Sequence, residues 1–340
     1  ESWTISQLAV THEGTWWAAS SHGLVRRTAS GWEPKAIIDA GDRAWAVRSV
    51  LGVAVDASGQ LWFATKAGVA CRTSKGWRFF EGKDGLPWNE FTGIAAGPAG
   101  EVWFTTSRGV IRWNGSEFQY RQGLRWLPSD AVAQAWVQAD GRAWFATSSG
   151  VGFIDQQPMT LAQKAELYER EMDQYIRRTS YGFTAEAPLK TPADRSTAAP
   201  EDSDNDGLWT AMYGAGECFA YAATRDPKAK ARATRAFEAL RFLQKVTQGG
   251  TPAPPKGYVA RTVRPVEWPD PNAGRINGDR EEAKRDGLWK VYEPRWPKSA
   301  DGRWYWKSDT SSDELDGHFF FHAAYFEHVA ETTEEKDRCR

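Results

Sequence analysis

Asp309, Asp313 and Glu314 stand just ahead of three of the chain's five histidines, His318, His322 and His328. On a helix, Glu314, His318 and His322 recur every four residues and share a face, while Asp313, Asp316 and Gly317 share the next one. Carboxylates grouped in this way fit the acid and base of glycosidic bond cleavage, which needs one carboxyl protonated and one ionised. A funnel lined with aromatic rings would push a carboxyl pKa upward and favour the acid role. The plainer reading has Asp309 capping the helix, with Asp313 and Glu314 favouring its positive end. A zinc site from Glu314, His318 and His322 is the weaker alternative, because one helix rarely presents three ligands in line.

A second set lies upstream. Trp209, Tyr213 and Glu217 are spaced by four and put two rings and a carboxylate, the fourth catalytic candidate beside Asp309, Asp313 and Glu314, on one helical stripe. Rings stack on the apolar faces of sugars while polar groups fix the hydroxyls. Arg261 can clamp a uronic-acid carboxylate in bidentate fashion, and Trp304, Trp306 and His318 extend the same groove. The alternative is that Trp209 and Tyr213 simply pack between helices. Asp202-Ser-Asp204-Asn-Asp206-Gly207 alternates acids ahead of a glycine, like the first half of a calcium loop. The twelfth position is Tyr213, not the bidentate acid such a loop requires, so a complete EF-hand is excluded. A partial calcium site on Asp202, Asp204 and Asp206, or a helix cap, stays open, and no other cofactor is called for. No nucleophile elbow, phosphate loop, dinucleotide fingerprint or zinc knuckle occurs.

The elements that must hold these groups come from a chain of 340 residues, long enough for two domains. Lys plus Arg is 43 and Asp plus Glu is 44, so the net charge of −1 gives no broad attraction for nucleic acid or an anionic membrane surface. No run reaches the roughly 18 apolar residues of a membrane helix. The chain opens Glu1-Ser2-Trp3 with neither Met nor an apolar leader, so a processed or trimmed form is expected. Cys71, Cys218 and Cys339 are odd in number and widely spaced, which predicts buried, inert thiols. Tryptophan is the unusual component, at 19 residues.

The first half is a repeat. Gly59-Gln-Leu-Trp62-Phe-Ala-Thr recurs as Gly100-Glu-Val-Trp103-Phe-Thr-Thr and Gly141-Arg-Ala-Trp144-Phe-Ala-Thr, with a looser copy at Gly14–Gly23. Trp17, Trp62, Trp103 and Trp144 are separated by 45, 41 and 41 residues, and Trp32, Trp77 and Phe118 form a second landmark. Turn residues between short runs of strand formers predict about four strands per unit, the period of a propeller blade, with the regular tryptophans packed between blades. Gly-x-Leu-Trp-Phe-Ala-Thr-x-x-Gly-Val, with Gly-x-Trp and Asp84-Gly85-Leu86-Pro87, resembles the repeats of two-component-regulator-type propellers. Those repeats occur in periplasmic sensor halves of hybrid kinases and in secreted proteins, so the resemblance implies an extracellular or periplasmic chain. The fourth copy has Met159 where its outer Trp is expected, leaving a small ring or an incomplete one open.

From Thr160 the period becomes helical. Leu161 to Ile176 is predicted as a helix with Leu161, Ala165, Tyr168, Met172, Tyr175 and Ile176 on its apolar face. Residues 184 to 206 read as a long loop, and helices are predicted at about 207–224, 228–247 and 312–332. Residues 248–307, rich in Pro, Arg and Trp, read as loops. Asp204-Asn-Asp206-Gly-Leu-Trp209 with Glu217-Cys-Phe-Ala-Tyr, Gly257-Tyr-Val-Ala-Arg261 and Ser308-Asp309 to His318 resemble pieces of six-hairpin (α/α toroid) glycosidase-like proteins. Four or five helices are fewer than such a ring has, which implies a partial one. The expected fold is multidomain β + α, with propeller repeats over 1–157 and a toroid-like helical domain over 158–340. The expected function is carbohydrate binding and cleavage, by a hydrolase or a lyase. The alternative is a non-catalytic glycan-binding or scaffold protein with a protein partner on its propeller.

Overall fold

A computed structural model describes residues 3–340. The chain divides into two compact units. One runs to Met159 and adds Leu189–Thr197; the other comprises Thr160–Pro188 and Ala198–Arg340. The return of Leu189–Thr197 to the first unit differs from the expected boundary, and Ala193 N–H donates to Leu124 C=O there.

The first unit holds four β-propeller blades among the described residues. Blade 1 is β1 (Ile5–Val10), β2 (Trp16–Ser20), β3 (Gly23–Thr28) and β4 (Gly31–Pro34). Blade 2 is β5 (Gly52–Val55), β6 (Leu61–Thr65), β7 (Gly68–Thr73) and β8 (Gly76–Phe80). Blade 3 is β9 (Phe91–Ala96), β10 (Val102–Thr106), β11 (Gly109–Trp113) and β12 (Phe118–Arg121). Blade 4 has three strands, β13 (Val132–Val137), β14 (Ala143–Thr147) and β15 (Gly150–Ile154), in keeping with its missing outer landmark. Each sheet is an antiparallel meander in chain order.

The repeat motif is turn chemistry. Asp56 accepts from the Ser58 and Gln60 amides through one oxygen and from the Trp62 indole N–H at 2.8 Å through the other, fixing the turn and the ring together. Two residues after the motif's Trp-Phe pair, Thr65, Thr106 and Thr147 donate their hydroxyls to the carbonyl of the glycine three residues on. Gly68 closes this turn at φ 151°, and a Cβ there would meet Phe80 O at 2.2 Å. Trp17, Trp62 and Trp103 are buried between successive blades, as expected, and Trp103 meets Phe145 of blade 4 at 5.2 Å. Trp144 is only half-buried.

The second unit opens with α1 (Leu161–Glu171), capped by a Thr160–Gln163 box, followed by one π turn to Ile176 and the pair β16 (Arg177–Arg178) and β17 (Phe183–Thr184). The expected apolar face is not a packing face, since no α1 residue is buried. α2 (Asp206–Thr224) and α3 (Pro227–Lys245) form an antiparallel hairpin. Asp226 caps α3 by accepting from Lys228 N–H, and Pro227 opens it. α5 (Ser312–His328) runs alongside α2 in the same direction: Leu208 pairs with Glu314 at one end, and Tyr221 with Glu331 beyond the other. Ala211, Ala215, Ala233, Ala236 and Leu240 line the facing stripes with Phe321 and Tyr325, so small residues let the helices close up. At Gly214 a Cβ would lie 2.5 Å from the Phe321 ring.

Two expectations for the C-terminal part change. The 248–307 stretch contains α4 (Arg275–Arg285) and the strand pair β18 (Val263–Pro265) with β19 (Trp304–Trp306). α4 buries only Asp279, so it has no apolar period to show in sequence. α5 stops at His328, and α6 (Thr333–Cys339) follows from its own Thr332–Glu335 capping box. Cys71 and Cys218 are buried, and burial pushes both thiols up to about 12.

Candidate functional site at the helix ends

The N-termini of α2 and α5 lie side by side, and most of the sequence candidates collect there. Arg178, buried in β16, donates to the Asp206 carboxylate, to Thr262 Oγ1 at 2.8 Å and to Val263 C=O at 2.7 Å. Arg264 binds Asp202 at 2.6 Å, and Lys307 binds Asp204 and reaches Asp309 at 3.5 Å. Asp202, Asp204 and Asp206 are therefore held by three different cations and do not converge as calcium ligands. Among the described residues no three His, Cys, Asp or Glu side chains form a metal-holding group, and that applies to Glu314, His318 and His322 as well. Burial pushes the Asp206 carboxyl up despite Arg178. At Asp204 burial also works upward, but Lys307 and Arg261 bring the net below the usual range.

Asp309 does not cap α5; Ser311 occupies that position. Instead Arg295 bridges Asp309 and Asp279, each at 2.5 Å. Arg261 spends its guanidinium on backbone, donating to Asp204 C=O at 2.7 Å and lying 3.5 Å from Asp309 C=O. Glu314 is completely buried, and its Oε2 accepts from Leu208 N–H at 2.8 Å, capping α2 from another helix. Burial pushes this carboxyl up to about 8, and Oε1 has no partner. His318, one turn on, is buried with neither ring nitrogen paired, and burial lowers it to about 3. Both groups press on Gly207, where a Cβ would lie 2.3 Å from Glu314 Oε2 and 3.1 Å from His318 Nε2. Glu314 thus has the pKa of an acid without access to a substrate, and His318 is a neutral core ring. Asp313 is exposed, and the Ser311 hydroxyl holds it below the usual range.

The aromatic candidates divide. Trp209 is 40% exposed on α2. Trp306 is buried in the helical core, and Trp304 leans on Phe242 and Tyr181 with centroids 5.1 and 5.8 Å away, so these two rings serve packing. The other loop tryptophans cover the arginines of the ion network: Trp289 on Arg295 at 4.6 Å, Trp296 on Arg264 at 5.5 Å and Trp268 on Arg178 at 6.0 Å. Tyr213 and Glu217 sit apart from the helix ends. The Tyr213 hydroxyl donates to Glu169 Oε2 at 2.7 Å, and Arg177 lies 4.3 Å over its ring. Burial and then neighbouring Glu169 push Glu217 up to about 7, with Arg232 3.1 Å from Glu169 and 4.0 Å from Glu217. Glu169, Arg178, Arg232, Arg295 and Lys307 carried no sequence signal, because each acts through a partner on a distant segment.

No family model matches the chain, and no curated protein does. Among solved structures it is similar to the extracellular domains of two hybrid two-component systems of B. thetaiotaomicron. One is 14% identical, matching 46% of this chain and 22% of its own, with a TM-score of 0.37. The other is 17% identical, matching 59% of this chain and 27% of its own, with a TM-score of 0.39. PorZ, a surface component of the type-IX secretion system of Porphyromonas gingivalis, matches 43% of this chain and 24% of its own at 15% identity, TM-score 0.34. The chain spans about a quarter of the length of these structures. At these levels the likeness carries neither a family nor an activity to it.

Proposed function

We propose that the chain is an extracellular or periplasmic glycan-recognition protein whose helical unit receives an oligosaccharide beside the ends of α2 and α5. The reading rests on Trp209. Its large exposed ring stands one turn along α2, from an end bordered by Arg261, the half-exposed Asp204 and the ionised Asp313. A ring beside hydroxyl-binding polar groups is how sugars are held. The parallel run of α2 and α5, with α3 antiparallel to α2, is in keeping with an α/α toroid. The blades serve as a scaffold for protein contacts. Asp309 and Glu314 are not offered as acid and base, because the first is tied to Arg295 and Lys307 and the second is buried against Leu208.

Cleavage is the second reading, and Glu217 favours it. A carboxyl near 7 beside Glu169 is poised for proton transfer at neutral pH. One experiment addresses both readings: affinity electrophoresis through neutral and acidic polysaccharides, with reducing ends assayed in parallel. Retardation by a polysaccharide is expected, weakened about tenfold by Trp209→Ala, or roughly 1.4 kcal/mol, without new reducing ends. Equal retardation of Trp209→Ala would overturn the site. Release of reducing ends by the native chain and not by Glu217→Gln would establish the second reading.

A further inference from the structure

α1 is fastened to the second unit by polar contacts. No residue of α1 is buried, and Leu161 at its start is 86% exposed. The seam draws on four elements. Glu169 of α1 and Asp173 of the π turn are four residues apart and share a face, as do Tyr213 and Glu217 of α2; α3 brings Arg232 and Arg235, and β16 brings Arg177. Tyr213 donates to Glu169 Oε2 at 2.7 Å, and Arg232 Nε lies 3.1 Å from the same oxygen. The same guanidinium reaches Glu217 Oε2 with Nη1 at 4.0 Å. Two carboxyls therefore crowd round one guanidinium, and a side-chain hydrogen bond joins them. Such a bond needs a proton on one of the pair, because an ionised carboxylate only accepts. Arg177 and Arg235 serve Asp173 instead, at 3.3 and 3.9 Å, and Arg177 also donates to Gly182 C=O and Thr184 Oγ1.

We propose that α1 is a proton-operated strap, closed over the α2–α3 hairpin while Glu169 and Glu217 share a proton and opened when both are ionised. The inference stands apart from any sugar ligand of the unit. With the strap closed, Glu217 is 9% exposed and the Tyr213 hydroxyl is spent on Glu169; opening frees both. Losing the proton leaves two like charges in contact around a single guanidinium. The hairpin beneath does not depend on the strap, because Ala211, Ala215, Ala233, Ala236 and Leu240 bind α2 and α3 through their own core. Burial and then Glu169 raise Glu217 to about 7, and opening returns it toward the ordinary 4.5. A group raised in the closed form favours closure fully below about 4.5. That contribution is lost as pH climbs to about 7, and closure levels off above it. Tyr213 stays a donor across this window, since burial and Glu169 move its hydroxyl further upward.

Hydrogen–deuterium exchange of the full chain from pH 5 to 8, corrected for the intrinsic pH dependence of exchange, reads the strap directly. Amides of 163–171 are expected to lose protection by up to about tenfold per pH unit between 5 and 7 and to level off above 7. Those of 233–243 in α3 should hold theirs. Glu217→Gln keeps a donor for Glu169 and cannot ionise, so its 163–171 amides should stay protected at pH 8 without a step. Flat protection of 163–171 in the native chain, or a fall shared with 233–243, would overturn the proposal whether or not the variant folds. A Glu217→Gln chain with native circular dichroism and the native chain's step would overturn it as well.

Discussion

Glu314 and His318 are two ionisable side chains that the fold keeps neutral, and their pKa values set opposite limits on stability. Burial pushes the Glu314 carboxyl up to about 8 in the folded chain, against an ordinary value of 4.5. Its folded value is raised, so its stabilising contribution is full below the unfolded pKa and is lost as pH rises toward 8. His318 runs the other way: its folded value near 3 lies below the ordinary 6.5, so stability falls as pH drops from about 6.5 toward 3. Between about 4.5 and 6.5 the two trends oppose each other, and above that window Glu314 and Glu217, the latter raised to about 7, both lower stability as pH rises, each at up to about 1.4 kcal/mol per pH unit. Glu314→Gln keeps an oxygen for Leu208 N–H and removes the titration. Urea midpoints between pH 6.5 and 8 should fall for the native chain and fall less steeply for Glu314→Gln, in which Glu217 still titrates. An unchanged slope in the variant would show that another group carries the alkaline limb. The acid character that made Glu314 a catalytic candidate thus arises from its burial as a helix fastener.

The β elements were legible in the sequence because their code is local. Asp56, Gly59, Trp62, Thr65 and Gly68 fix two turns and a strand within thirteen residues, and every hydrogen bond involved joins near neighbours. α2 and α3 were equally legible, with Asp226-Pro227 marking the hairpin. The helix-end site was legible only in its parts. Leu208 meets Glu314 and Asp204 meets Lys307 across about a hundred residues, and no spacing rule reports such a meeting. α4 escaped because a polar surface helix has no apolar stripe. The turn code makes a graded prediction. Gly76 has φ 113° with open space around its Cβ position, so Gly76→Ala should cost only left-handed strain, about 1–2 kcal/mol. Gly68→Ala adds a collision with the Phe80 carbonyl and should cost more, with β8 displaced. Equal denaturation midpoints for the two variants would contradict the turn geometry.

Across the first unit, the same tryptophan is an interior residue or an end residue according to its blade. Trp62 touches Phe80, Phe104 and Trp113 at 5.9–6.1 Å and bonds Asp56, so its loss leaves a cavity and an unpaired buried carboxylate. Trp144 meets Phe153 of its own blade at 4.9 Å, and its indole nitrogen has no partner. In a stack of repeats each unit gains stability from its nearest neighbours, so an end blade has half the seams of an interior one. Trp62→Ala should therefore cost about 3–5 kcal/mol, and Trp144→Ala about 1 kcal/mol or less. Chemical denaturation monitored through the β signal of circular dichroism reads both. Equal losses would mean that something covers the Trp144 face as blade 3 covers Trp62.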